Sequence, residues 1–129
     1  MGATLVGLVL DRWAYLPELH YRALLRMALT VLDYPDGDRP AATYWGGREL
    51  LARTWRQPYP DGDAADDQRR RRSVLHEVTV VCRDLCGEHA IEVVRGNRLP
   101  GPGRRQVYRL TVDIEPTYSL LKRRERGER

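Results

Sequence analysis

Apolar residues recur at helical spacing through the first two thirds of the chain and give way to β-favouring runs in the last third. Leu5, Val6, Val9, Leu10 and Trp13 predict a short helix over Thr4–Trp13; Gly7 weakens the pattern, and a strand is the lesser alternative. Pro17 suits a first helical turn and Glu18 complements the dipole there. Leu24, Leu25, Ala28, Leu29 and Leu32 then form one stripe, so a second helix is predicted over about residues 17–33. The Asp-, Gly- and Pro-rich run 33–45 reads as a loop. Residues 46–55, GGRELLARTW, predict a short helix with Leu50, Leu51 and Trp55 inward. A second acidic loop follows, with Asp63 placed to cap a helix beginning near Ala64 and Asp66 and Asp67 in its first turn. In that helix Val74, Leu75, Val78, Val81, Cys82 and Leu85 repeat as a clean amphipathic stripe, and Gly87 is a natural stop. Residues 90–95 and 105–112 are strand-like, and GNRLPGPGR between them is rich in turn residues, so a β-hairpin with a long basic tip is predicted. A short helix around Thr117–Arg124 and a charged tail complete the chain.

Charge changes this picture more than composition does. The apolar fraction of 42% and charged fraction of 31% are those of an ordinary globular domain. The net charge of +4 is unevenly placed: residues 34–67 carry net −3, whereas residues 68–112 carry net +6. Arg69, Arg70, Arg71 and Arg72 fall together at the start of the third main helix, where the macrodipole is positive, so an external anion such as phosphate is the expected compensation. Of 22 basic residues only Lys122 is lysine, Phe is absent and Asn97 is the sole asparagine, a bias that points to a GC-rich genome and makes part of the arginine usage codon drift. No apolar run reaches the ~18 residues of a membrane span. The N-terminal stretch lacks the basic region and cleavage site of a signal peptide. Two cysteines four residues apart do not form a secreted disulfide framework, and a cytoplasmic protein is expected.

The order helix, helix, helix, two-stranded hairpin is that of the winged-helix variant of helix-turn-helix. The expected fold is mainly α with a small β-hairpin (α+β): three core helices, a two-stranded wing and an extra N-terminal helix. Residues 1–115 would form the domain, and residues 116–129 a short helix and tail. In that geometry the third helix lies in the DNA major groove and the wing on the backbone or in the minor groove. The ordered set YRALLRMALTVLD, ATYWGGRELLARTW, the basic-led helix and AIEVVRGNRLPGPGRRQVYRLTV resembles winged-helix proteins of actinobacteria, common in prophages, plasmids and integrative elements. The resemblance covers roughly residues 4–112. It departs from many members in the longer segment Arg56–Asp67 between the second and third helices. It implies binding to double-stranded DNA, either as a transcriptional regulator of a mobile element or as a replication or excision accessory protein. A winged-helix protein-interaction module is the alternative from another class.

With the valine stripe inward, Arg71, Arg72, Ser73, His76, Thr79 and Arg83 are the candidate major-groove residues. Arg95, Arg98, Arg104 and Arg105, flanking the Gly/Pro tip, are the candidate wing contacts to phosphate or to a narrow minor groove. Such domains often bind as dimers on paired half-sites, and the first helix or Thr117–Arg124 is the candidate surface for a homodimer contact. Cys82, Cys86 and His89 raise the question of zinc. Their spacing matches no standard finger, and Cys82 falls on the core stripe, so a buried free thiol is expected and no metal. The acidic run DGDAADD lacks the glycine and glutamate of a calcium loop, and there is no P-loop, dinucleotide fingerprint or nucleophile–base pair. No enzymatic activity and no cofactor are expected.

Overall fold

In the computed structural model, residues 3–32, 34, 36–37, 40–54, 59–60, 62–94 and 106–127 are described. The elements are α1 (Ala3–Arg12), α2 (Glu18–Thr30), β1 (Thr43–Tyr44), α3 (Gly47–Ala52), α4 (Ala65–Gly87), β2 (Ile91–Val93), β3 (Tyr108–Leu110) and α5 (Ser119–Glu125). The protein is therefore mainly helical with a small antiparallel sheet, an α+β arrangement.

The core is built from one face of each long helix. Val74, Val78, Val81, Cys82 and Leu85 of α4 are buried, as their spacing predicts. Full burial of Val78 and Leu85 contributes roughly 1.5–3 kcal/mol each. The stripe of α2 is rotated from the expected one: Ala23, Leu24, Met27 and Ala28 are buried, whereas Leu29 is exposed and Leu25 half-buried. The small residues Ala23 and Ala28 let neighbouring helices approach, and that packing overrides the plain count of leucines. α1 packs on α2 through Val9, with Trp13 just beyond its C-terminus. The Trp13 indole Nε1–H donates to the Val112 carbonyl at 2.9 Å, and an Arg12 guanidinium N–H donates to the Asp113 carbonyl at 2.9 Å.

The sheet has three strands, not two, in the order β1-β3-β2. The stretch expected to be wholly loop contributes β1, whose Thr43 and Tyr44 stand opposite Arg109 and Tyr108. β2 pairs with β3 through Ile91–Leu110, Glu92–Arg109 and Val93–Tyr108, so the two strand-like runs do form a hairpin. Entry into β1 uses Ala42 in the left-handed region, φ +58°. Its N–H donates to the Leu32 carbonyl and its carbonyl accepts from the Leu110 N–H, which ties the end of α2 to the sheet.

Both ends of α4 differ from the expected signals. Asp63 does not cap the helix through its side chain; Ala64 occupies that position, and the Asp63 carbonyl instead accepts from the Gln68 amide. Gly87 is the last helical residue rather than the stop. The helix closes with the His89 N–H on the Cys86 carbonyl and the Ala90 N–H on the Leu85 carbonyl, a Schellman pattern. The left-handed residue that this closure requires is His89, φ +65°. Glu88, at the same corner, is 1% exposed. Its carboxylate accepts from the Tyr15 hydroxyl at 2.6 Å and from the Leu120 backbone N–H at 3.0 Å. That one side chain joins the end of α4, the α1–α2 turn and the first residues of α5, and Leu120 belongs to the common core.

Candidate functional site

α4 runs for 23 residues, so the macrodipole puzzle raised by four consecutive arginines resolves locally. Asp66 and Asp67 occupy the first turn, where negative charge is favoured. The arginines begin in the second turn, and Arg69 pairs with Asp66 at 2.7 Å in an exposed i,i+3 bridge. Arg71 turns toward the loop before the helix and donates to the Pro60 carbonyl at 2.7 Å and the Gly62 carbonyl at 2.8 Å. It fastens the acidic loop to α4. Arg70 and Arg72 extend exposed side chains. Arg72 lines an open hollow of about 270 Å³ with Glu49, Tyr59, Gln68, Arg71 and Leu75.

Opposite the buried valines, Arg72, His76, Thr79 and Arg83 follow one another at i, i+4, i+7 and i+11, and Ser73 flanks His76. Arg72, Ser73, His76 and Arg83 are exposed, and Thr79 is half-buried. At ~1.5 Å per residue the stripe extends roughly 16 Å along the helix. The helix carrying it is held on both sides. Toward α2, His20 Nε2 lies 2.8 Å from Asp84 Oδ2. Toward α3, an Arg48 N–H donates to Thr79 Oγ1 at 3.0 Å, and the Thr79 hydroxyl itself donates to the Leu75 carbonyl at 3.0 Å. Arg48 is exposed and joins the basic face from a second helix. Nothing in the sequence singles it out, since the contact links positions 31 residues apart.

Of the candidate residues, the structure brings Arg72, Ser73, His76 and Arg83 onto one open face, engages the Thr79 hydroxyl internally and directs Arg71 to the loop. Arg95, Arg98, Arg104 and Arg105 lie outside the described residues. The base of their hairpin is fixed by β2 and β3 and by the Val94 N–H on the Val107 carbonyl. On the exposed sheet surface Arg109 pairs with Glu92.

The thiols lie on the inner side of α4. Burial pushes the Cys82 thiol up to about 12, an effect opposed by a hydrogen bond with Tyr108, and burial raises the half-buried Cys86 as well. Both are protonated near neutral pH and neither is activated as a thiolate. The Tyr108 hydroxyl is raised by its own burial and by the neighbouring cysteines. Among the described residues no group of three or more His, Cys, Asp and Glu side chains is arranged to hold a metal ion. No described helix is long and apolar enough to cross a membrane. No protein-family model, curated protein or solved structure matches this chain.

Proposed function

We propose that the chain is a winged-helix protein that binds double-stranded DNA in a sequence-specific manner, with α4 entering the major groove and the β2–β3 hairpin serving as the wing. The order α2, β1, α3, α4, β2, β3 supports this, because the helices and hairpin follow one another as that fold requires. The observation that carries the reading is the exposed Arg72–His76–Arg83 stripe on a helix braced from α2 and α3. Its length matches a groove ~12 Å wide crossed at an angle. Arg83 suits paired hydrogen bonds to guanine, and Arg72 a phosphate or a base edge near the helix start. The resemblance to actinobacterial mobile-element proteins makes a transcriptional regulator the preferred role.

The test is a salt titration of binding to the chain's own upstream DNA and to a scrambled duplex. The native site is expected to win by about a thousandfold, and Arg83→Ala to erode that preference. Weak and equal binding to both duplexes, with little salt dependence, would overturn the reading and leave a protein partner for the same face.

A further inference from the structure

The Thr79 hydroxyl has one hydrogen, and the Leu75 carbonyl accepts it at 3.0 Å. The same oxygen accepts an N–H of Arg48 at 3.0 Å. A threonine on the outer stripe of a groove-reading helix would ordinarily offer its hydroxyl to a base edge. Here that hydrogen is spent inside the protein, and the oxygen is turned toward α3. Arg48, by contrast, uses one arm of its guanidinium on Thr79 and is exposed over the rest. A bare surface arginine samples many rotamers and loses roughly 2 kcal/mol of freedom when fixed. One hydrogen bond to a neighbouring helix removes part of that loss before any ligand arrives.

Resting on the DNA-binding reading above, we propose that Arg48 is a backbone-phosphate contact preset by Thr79, and that Thr79 is a positioning residue rather than a base reader. The duplex is then held from two helices at once. Arg72 and Arg83 approach along α4, and Arg48 approaches from α3 at the elbow between the two helices. Arg48 supplies affinity without sequence information, because every nucleotide presents the same phosphate. The ligand chemistry is a phosphodiester backbone placed at the edge of the groove that α4 occupies.

The experiment measures binding to the native and scrambled duplexes across a salt series for the wild type, Arg48→Ala, Thr79→Val and Thr79→Ser. Arg48→Ala should lower affinity roughly tenfold on both duplexes and reduce the log–log salt slope by about 0.9, one phosphate contact. Thr79→Val, nearly isosteric but without the hydroxyl, should weaken both duplexes about threefold, with the native-to-scrambled ratio unchanged. Thr79→Ser, which keeps the hydroxyl, should restore wild-type behaviour. In the Arg48→Ala background Thr79→Val should have no further effect on binding, as positioning through Arg48 demands. Thermal melts of each variant separate a folding defect from a binding one. If Thr79→Val changes the native-to-scrambled ratio while Arg48→Ala leaves the slope intact, Thr79 reads a base and the proposal is overturned with DNA binding intact. If the wild type binds neither duplex, the DNA reading fails first and the proposal falls with it.

Discussion

Arg71 and Arg72 are chemically identical neighbours, and the fold assigns them different work. Replacing Arg71 with alanine removes two hydrogen bonds from a cation to the carbonyls of Pro60 and Gly62, at 2.7 and 2.8 Å. Bonds from a charged donor contribute roughly 1.5–3 kcal/mol each when well desolvated. Arg71 is half-buried, so water competes for both ends, and a total of about 1–2 kcal/mol is the expected loss of stability. With a urea m-value of ~2 kcal/mol/M, the middle of the range for small proteins, the unfolding midpoint should fall by about 0.5–1 M. Both bonds leave the same Nη1 nitrogen, so lysine, whose single ammonium carries three N–H donors, should recover part of the loss. Arg72→Ala should leave the unfolding free energy within about 0.5 kcal/mol of wild type and instead reduce the DNA salt slope by about 0.9. Urea unfolding followed by tryptophan fluorescence, run beside the salt titration, reads both effects on the same preparations. An Arg71→Ala protein with an unchanged midpoint and a salt slope reduced by one contact would refute the reasoning, since Arg71 would then be a DNA contact and not a loop fastener.

Other perturbations have equally definite outcomes. Glu88→Ala strips the Tyr15 hydroxyl and the Leu120 N–H of their acceptor and should cost about 2–4 kcal/mol, with Glu88→Gln costing roughly half, both read by urea unfolding. His89→Gly should stabilise the protein by about 0.5–1 kcal/mol, because a left-handed residue at φ +65° then carries no Cβ penalty; a lower melting temperature would contradict the cap assignment. Alkaline titration should destabilise the fold. Burial raises Cys82 from the ordinary thiol value of ~8.5 to about 12, so its contribution is intact below about pH 8.5 and is lost as pH climbs toward 12, with buried Tyr108 adding in the same direction. Circular dichroism melts from pH 7 to 11 read this loss, and Cys82→Ala should flatten the part above pH 9.

The residues differ in how far their structural roles were legible from sequence alone. Every buried position of α4 follows from its period, because a helix with one polar and one apolar face has only one way to lie on a core. The same rule misplaces the stripe of α2, where apolar residues cover more than one face and close packing at Ala23 and Ala28 decides which face is inward. β1 is invisible locally: two residues make a strand only because β3 supplies their partners from residues 108–109. Gly87 is the stop that composition alone suggests, but the left-handed position falls on His89, where the Schellman bonds fix it two residues later. At the candidate site the stripe Arg72, His76 and Arg83 is a matter of spacing and is readable. The distinction between Arg71 and Arg72, and the Arg48–Thr79 contact, depend on where a distant loop and α3 come to rest.

The strand order β1-β3-β2 sets a schedule for folding. The middle strand of the sheet is the last of the three to leave the ribosome, and the Trp13 indole waits 99 residues for its acceptor at Val112. While the chain grows, α1 and α2 can meet and α4 can coil. The edge of β1 and the indole N–H, however, keep bonding water until residues 107–112 emerge. Closing such distant pairs costs loop entropy before it yields contacts, so the sheet and the Trp13 anchor form after the helices they join. A chain severed after α4 would keep helical segments and lose the sheet, the Trp13 anchor and the seat of Glu88 at once. The N-terminal half is thus a dependent part of the fold, because its Trp13 anchor and the partner of β1 both come from the last third of the chain.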